Sequence, residues 1–387
     1  MKIAKSVNRL GTEAVYNIFA KTKKLAQQGK KIIDLSLGQS DFKSPKHAVN
    51  ATIQALKDGH HGYTLPNGII ECREAVSRKI KSLYNANISP ERIVIMPGGK
   101  PTMHYAISFF GEPSAEIIYP DPGFPIYESM INYTGAKAVP FNLAENKDFS
   151  INPDKILSLI NENTRLLILN NPNNPTGSFT EKTVIDKLAK GLINFPHVTI
   201  LSDEIYDRLI FDKKEIPTLF NYPDLYDRLI VLNGWSKTYA MTGWRLGWGV
   251  WPEQLIEHVF KFCVNNHSCV NTAAQYGAIA ALDGPEDHLH DMMGEFTIRR
   301  KLIVDGLRSL KGVECSLPGG SFFVFPSVKG TGMNGEEFTN KCLQEAGVAI
   351  IAGTAFGKFA TANVRFNFAT SRENISKAIE KIDKILK

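Results

Sequence analysis

Leu229-Ile230-Val231-Leu232-Asn233-Gly234-Trp235-Ser236-Lys237-Thr238, followed by Tyr239-Ala240-Met241-Thr242-Gly243-Trp244-Arg245, is the stretch from which fold and chemistry are both read. Leu229 to Leu232 is an apolar run of the kind that forms a buried strand, and a single lysine stands just beyond its end. A lysine at the mouth of a buried strand adds little to a core. It is well placed to condense with a carbonyl group, because desolvation and neighbouring cations favour the neutral, nucleophilic amine. Ser236 and Arg245 add a hydroxyl donor and a planar fork able to grip two oxygens, which is what a phosphate group needs. Together the three side chains point to a phosphorylated aldehyde held on Lys237. A lone Ser-Lys-Thr tripeptide also looks like an ordinary solvated loop, so the reading depends on whether other segments supply the rest of a site.

Pyridoxal 5'-phosphate is an aldehyde of that kind, and four more segments meet its further demands. Val198-Thr199-Ile200-Leu201-Ser202-Asp203 runs without alternation, like a parallel strand covered on both faces, and ends on an acid. The carboxyl ends of such strands are where open α/β sheets bind ligands. There Asp203 can pair with the pyridine nitrogen and keep the ring electron-poor, although it is equally a natural cap for a following helix. Tyr206, three residues on, can donate to the phenolic oxygen of the ring. Leu166 to Leu169 reads as another buried strand, and it runs into Asn170-Asn171-Pro172-Asn173-Asn174-Pro175-Thr176-Gly177. Two prolines and a glycine make that turn stiff, and Asn174 projects from it with an amide suited to the same oxygen. Ile93-Val94-Ile95-Met96 leads into Pro97-Gly98-Gly99-Lys100-Pro101, a strand, a glycine pair and a helix start. Pro101 suits the first helical position, the helix running on to Phe110, and the Gly99 and Lys100 amides there form an anion cradle. Phe124, after the short strand Glu116 to Tyr119, can lay its face on the ring; taken alone it would be read as core.

The chain has 387 residues, too many for one ordinary core, so two domains are expected. Its apolar and charged fractions, 43% and 22%, are those of a soluble globular protein. The formal charge of +6 comes from basic residues spread along the chain; without a patch or motif it does not indicate nucleic-acid binding. Cys72, Cys263, Cys269, Cys315 and Cys342 are odd in number and widely spaced, and no His/Cys cluster has metal spacing. A reduced, cytoplasmic setting and no metal are expected. No apolar run approaches the ~18 residues of a membrane helix, and Met1-Lys2-Ile3-Ala4-Lys5 lacks the apolar core of a signal peptide.

Residues 11–29 form an amphipathic helix candidate. Strands and helices then alternate from about Ala48 to Leu282, the pattern of a mostly parallel sheet with helices on both faces. Beyond Pro285 a charged helix, His288 to Leu310, is expected, then Ser321 to Phe325, strands at Ala349-Ile350-Ile351 and Val364 to Phe368, and a helix from Ser371. This mixed block, joined by the N-terminal segment, reads as a smaller α+β domain.

In this order the segments resemble the class I aminotransferases of the fold-type I pyridoxal-phosphate superfamily. The resemblance runs from Leu35-Ser36-Leu37-Gly38 to Arg365-Phe366-Asn367-Phe368-Ala369-Thr370-Ser371. Its most specific parts are Asn174-Pro175-Thr176-Gly177, Ser202-Asp203-Glu204-Ile205-Tyr206 and Ser236 to Arg245. It implies that Lys237 carries the cofactor, that Asp203 partners the ring nitrogen, and that Asn174 and Tyr206 hold the ring oxygen. Ser236, Arg245 and the Gly99 and Lys100 amides would hold the phosphate, with Phe124 on the ring. Tyr63, in Gly62-Tyr63-Thr64, matches the tyrosine that reaches the phosphate of a neighbouring subunit, which implies a homodimer with shared sites. Arg365 matches the clamp for the substrate α-carboxylate, with Gly38 alongside. The implied architecture is a large domain over 45–285, built on a mostly parallel seven-stranded sheet, and a smaller one from 1–44 and 286–387. The chain departs from the pattern in carrying Phe124 where many members have Trp and Gly98 where Ser or Ala is common.

The activity implied is amino transfer between an L-amino acid and a 2-oxo acid, with Lys237, Asp203 and Tyr206 as catalytic residues and Gly38, Lys100, Asn174 and Arg365 on the substrate. Lys100 stands where some members are thought to bind a distal carboxylate, which favours aspartate or glutamate with 2-oxoglutarate. It equally suits a lysine that balances the phosphate or faces solvent. Aromatic or N-succinyl-diaminopimelate substrates, or a C–S β-lyase on the same scaffold, are the alternatives. A non-catalytic effector-binding domain would not need Lys237, Asp203 and Arg365 together. With Lys237 on the large domain and Arg365 on the small one, a bound carboxylate would draw the two together and exclude water.

Overall fold

The computed structural model describes residues 1–12, 14–212 and 216–387; residue 13, within the segment 11–29 read as a helix, lies outside them. The strands are β1 (Ile33–Asp34), β2 (Ile93–Met96), β3 (Glu116–Asp121), β4 (Lys137–Asn142), β5 (Thr164–Asn170), β6 (Thr199–Asp203), β7 (Leu229–Gly234), β8 (Gly247–Val250), β9 (Phe323–Val324), β10 (Val348–Ala349), β11 (Ile351–Ala352) and β12 (Val364–Asn367). Seven of them form one sheet in the order β2-β8-β7-β6-β5-β3-β4. Every neighbouring pair is parallel except those made by β8, which runs against both β2 and β7. This is the α/β architecture expected, with one reversed strand that the sequence reading did not anticipate. The glycines of Leu246-Gly247-Trp248-Gly249-Val250 interrupt the apolar pattern that marked the other strands.

Unbroken apolar runs form these strands because both faces of the sheet are covered. Ile93, Ile95, Leu167, Leu169, Ile200, Leu229 and Val231 pack into one core. Val94, Met96, Leu166, Ile168, Leu201, Ile230 and Leu232 pack into the other. β2, β6 and β7 are buried at every residue.

A third core gathers Leu35 with residues from Leu289 onward, together with Tyr206, Leu209 and Phe211. The long helix Asp287–Ser309 and the last helix, Arg372–Leu386, pack on a three-stranded antiparallel sheet, β11-β12-β9, and on the short parallel pair β1-β10. Ile33 aligns with Val348, which ties the N-terminal segment to this part. The single strand expected at Ala349-Ile350-Ile351 is corrected: the strand is interrupted at Ile350, so β10 pairs with β1 while β11 pairs with β12. Ser371 caps the last helix, its side chain accepting from the Asn374 amide. Pro101 stands second rather than first in the helix Lys100–Phe110.

Candidate active site

The carboxyl ends of β2, β3, β5, β6 and β7 lie along one edge of the sheet, and each is followed by one of the segments singled out above. Register makes the alignment concrete: Asn170 sits opposite Asp203, and Asp203 opposite Leu232. A cavity of about 540 Å³ opens there. Gly38, Gly99, Lys100, Phe124, Asn174, Asp203, Tyr206, Ser236, Lys237, Arg245 and Arg365 all line it. Eleven residues from seven separate stretches of chain are thus brought to one place. Of the expected set only Tyr63 is elsewhere: it is 92% exposed, on the loop before the helix Ile70–Tyr84.

The Lys237 amine donates to the Gly38 carbonyl at 2.6 Å and lies 5.8 Å from the Tyr206 ring and 5.6 Å from the Phe322 ring. Arg365, on β12, is buried. Its Nη1 donates to Asn174 Oδ1 at 2.9 Å and its Nη2 to the Ser36 carbonyl at 2.6 Å, while its plane rests 4.3 Å from the Phe323 ring and 4.7 Å from that of Phe356. A guanidinium held from two sides and flanked by aromatic faces is fixed in direction. Segment 36–38 therefore receives the amine at one end and the guanidinium at the other.

Asp203 is buried, and burial pushes its carboxyl up to about 6, against donation from Tyr127 and Ile205 and the charge of Lys237. Tyr127 Oη donates to Asp203 Oδ2 at 2.6 Å and the Ile205 amide to Oδ1 at 3.2 Å. Asn174 is positioned by Asn170, whose Oδ1 accepts from the Asn174 amide at 2.9 Å while its Nδ2 donates to the Asp203 carbonyl at 3.0 Å. On the other side of β7, Arg245 Nη1 donates to the Thr242 carbonyl at 2.7 Å. Lys100, exposed at the rim, holds its ammonium 5.5 Å from the Phe124 ring.

Tyr127, Asn170 and Phe323 escaped the sequence reading. Tyr127 had a signal, standing three residues after Phe124 at a helix start. Phe323 had none, because only the fold brings β9 under Arg365.

A model of the family described as aminotransferase class I and II matches residues 30–382. The chain is 35% identical over 387 residues to the aspartate aminotransferase of Pyrococcus horikoshii, covering 99% of this chain and 97% of that one. It is 33% identical over 366 residues to a Thermococcus litoralis protein named aromatic-amino-acid aminotransferase 2, covering 94% of each. The crystal structure of the aspartate aminotransferase from Rhizobium meliloti superposes with a TM-score of 0.95 at 28% identity, over 100% of this chain and 99% of that one. The chain belongs to the class I and II aminotransferases. Its activity is that of a pyridoxal-phosphate-dependent aminotransferase, acting on amino acids and 2-oxo acids.

The cavity's donor set fits that cofactor. Sheet order separates the phosphate-type donors, at the ends of β2 and β7 and beside β8, from the buried acid on β6 and the amide after β5. Gly98 has φ +91°, and a Cβ there would overlap the Arg245 guanidinium. Glycine at this point therefore leaves room for the Arg245 side chain against the backbone. Among the described residues, no group of three His, Cys, Asp or Glu is placed to hold a metal, and no helix is long and apolar enough to cross a membrane.

Proposed function

We propose that this aminotransferase moves the amino group of aspartate or glutamate to a 2-oxo acid such as 2-oxoglutarate, as a homodimer with shared sites. The observation that carries the reading is that the Lys237 amine and the Arg365 guanidinium line one cavity with the Lys100 ammonium at its rim. The names of the Pyrococcus and Rhizobium relatives support the same substrate. Residues 45–285 would form the large unit, and 1–44 with 286–387 the smaller one that closes on it.

In this reading Ser236, Arg245 and the Gly99 and Lys100 amides hold the phosphate, Asp203 the ring nitrogen, Asn174 and Tyr206 the ring oxygen, and Phe124 one ring face, with Tyr63 reaching in from the second subunit. When bound, the cofactor supplies the electron sink that makes the α-proton of an amino acid acidic. Arg365 grips the α-carboxylate through two parallel N–H groups, its direction fixed by Asn174 and Ser36. Lys237 Nζ would take the α-proton and deliver it to the carbon that was the cofactor's aldehyde, serving as base and then as acid. Lys100 faces the distal carboxylate, and closure of the smaller unit excludes water.

Lys237→Ala is expected to abolish amino transfer, and borohydride reduction followed by peptide mapping to find the pyridoxyl group on Lys237 of the wild type; turnover of the variant near the wild-type rate rejects the assignment. Lys100→Ala is expected to slow half-reactions with aspartate about tenfold more than those with phenylalanine, the scale of one lost charge-assisted contact. An equal fall for both removes the distal-carboxylate role and favours the aromatic substrates named for the Thermococcus relative. Pyruvate released from cystathionine would reveal lyase chemistry.

A further inference from the structure

Asp203 must remain an anion to hold a protonated ring nitrogen, yet its surroundings oppose that. It is buried at the end of β6, and an unpaired buried carboxylate takes up a proton rather than stay charged. Among the described residues, two titratable side chains act on it, Tyr127 from the helix Ile126–Thr134 and Lys237 beyond the end of β7, and Tyr206 lines the same cavity. Of these, Tyr127 bonds to it, at 2.6 Å. The Tyr127 side chain is fully buried in the first turn of its helix, with its ring edge-on to that of Phe124 at 5.8 Å. The stretch that presents Phe124 to the cavity, just before this helix, therefore also brings a donor to the acid.

We propose that Tyr127 is a positioning residue for the reaction: by donating to Asp203 Oδ2 it fixes the rotamer and the ionised state of the carboxylate that pairs with the cofactor's ring nitrogen. A tyrosine suits this role. Burial and the adjacent carboxylate hold its own hydroxyl well above the usual range, so it stays a donor at every working pH. With Oδ2 accepting from Tyr127 and Oδ1 from the Ile205 amide, the carboxylate cannot swing, and each oxygen keeps a lone pair for a further bond. A phenylalanine would fill the same space against Phe124 without countering the cost of burying the charge.

This inference rests on the reading of Asp203 as the ring-nitrogen partner, so the test carries both residues. Tyr127→Phe and Asp203→Asn are purified without cofactor and titrated with pyridoxal 5'-phosphate. The pH dependence of the visible absorbance and kcat with aspartate are then measured on the reloaded enzymes. Tyr127→Phe is expected to weaken cofactor binding about tenfold and to move the absorbance midpoint upward by about one pH unit, the size of one charged hydrogen bond. Asp203→Asn should do both more strongly. The unfolding midpoint of the cofactor-free variants reports separately on packing. If Asp203→Asn is impaired while Tyr127→Phe keeps the wild-type affinity and absorbance midpoint, Tyr127 is a packing residue and the proposal is overturned, even should the variant unfold more easily. If Asp203→Asn itself binds and turns over like the wild type, the reading of Asp203 falls and the role of Tyr127 with it.

Discussion

Glu204 follows Asp203 directly in the chain but has different neighbours. It is buried among Ser202, which donates to its Oε1 at 2.8 Å, and Thr218, which donates at 2.9 and 3.0 Å. Burial, reinforced by Asp207, pushes its carboxyl up to about 8, which favours the neutral acid, whereas the role proposed for Asp203 requires an anion. Because the folded value lies above that of the free carboxyl, its contribution to stability is full below about pH 4.5 and is lost as pH rises through about 8. Glu204→Gln, which cannot ionise, is therefore expected to be more stable than the wild type at pH 9, by about 1 kcal/mol or more, with the difference vanishing near pH 5. Urea unfolding at the two pH values measures it, and an equal effect at both would contradict the neutral acid. Sequence alone could not separate the two carboxylates. Asp203 and Glu204 are adjacent acids at a strand end, and only their neighbours decide which one keeps its proton.

The loop Gly353–Phe359 works as an element. Asp121, at the end of β3, is almost wholly buried and accepts from the Lys358 amide at 3.1 Å and, at 3.4 Å, from that of Phe359, while the Gly123 amide donates to the Phe356 carbonyl at 2.8 Å. This fastens β3 to the loop whose Phe356 ring flanks Arg365. Gly357 allows it: φ is +145°, and any Cβ would overlap the Asp121 carboxylate. Gly357→Ala should cost about 1–3 kcal/mol and raise KM for amino acids more than it lowers kcat, because Arg365, proposed to hold the substrate carboxylate, loses its backing. Denaturant unfolding and steady-state kinetics check both parts, and an unchanged KM would disconnect the loop from Arg365. Other elements varied in legibility. β2, β6 and β7 were readable because both faces are buried, which leaves an unbroken apolar run. β8 was not, because two of its four residues are glycines, and the β10-β11 break was not, because its apolar run hides the change of sheet.

At the scale of the molecule, Tyr63 is the test of assembly. Its loop is held from the helix Thr272–Asp283, whose Thr272 hydroxyl donates to the Gly62 carbonyl at 2.7 Å and whose Gln275 accepts from the Ile69 amide at 2.9 Å. The tyrosine itself is exposed and does not line its own cavity, and Ile53, Leu56 and Leu65 are exposed nearby in sequence. If Tyr63 serves the site of a second subunit, Tyr63→Phe should weaken cofactor binding about tenfold, the scale of a hydrogen bond to a charged phosphate. Mixing that variant with Lys237→Ala subunits should restore one fully competent site per mixed dimer. Affinity that stays low after exchange would place Tyr63 in its own subunit's service.

The sequence by itself determined the lysine, the acid, the asparagine and the glycine pair, and the buried strands that bear them. Those strands carry unbroken apolar runs, and the chemistry follows within a few residues of each strand's end, so both signals are local. Tertiary structure alone decided that Phe323 and Phe356 flank Arg365, that Tyr127 holds Asp203, and that Asp203 and Glu204 titrate apart. Those facts come from residues far apart in the chain and from the burial that their packing imposes, and neither quantity exists until the sheet has closed over its cores.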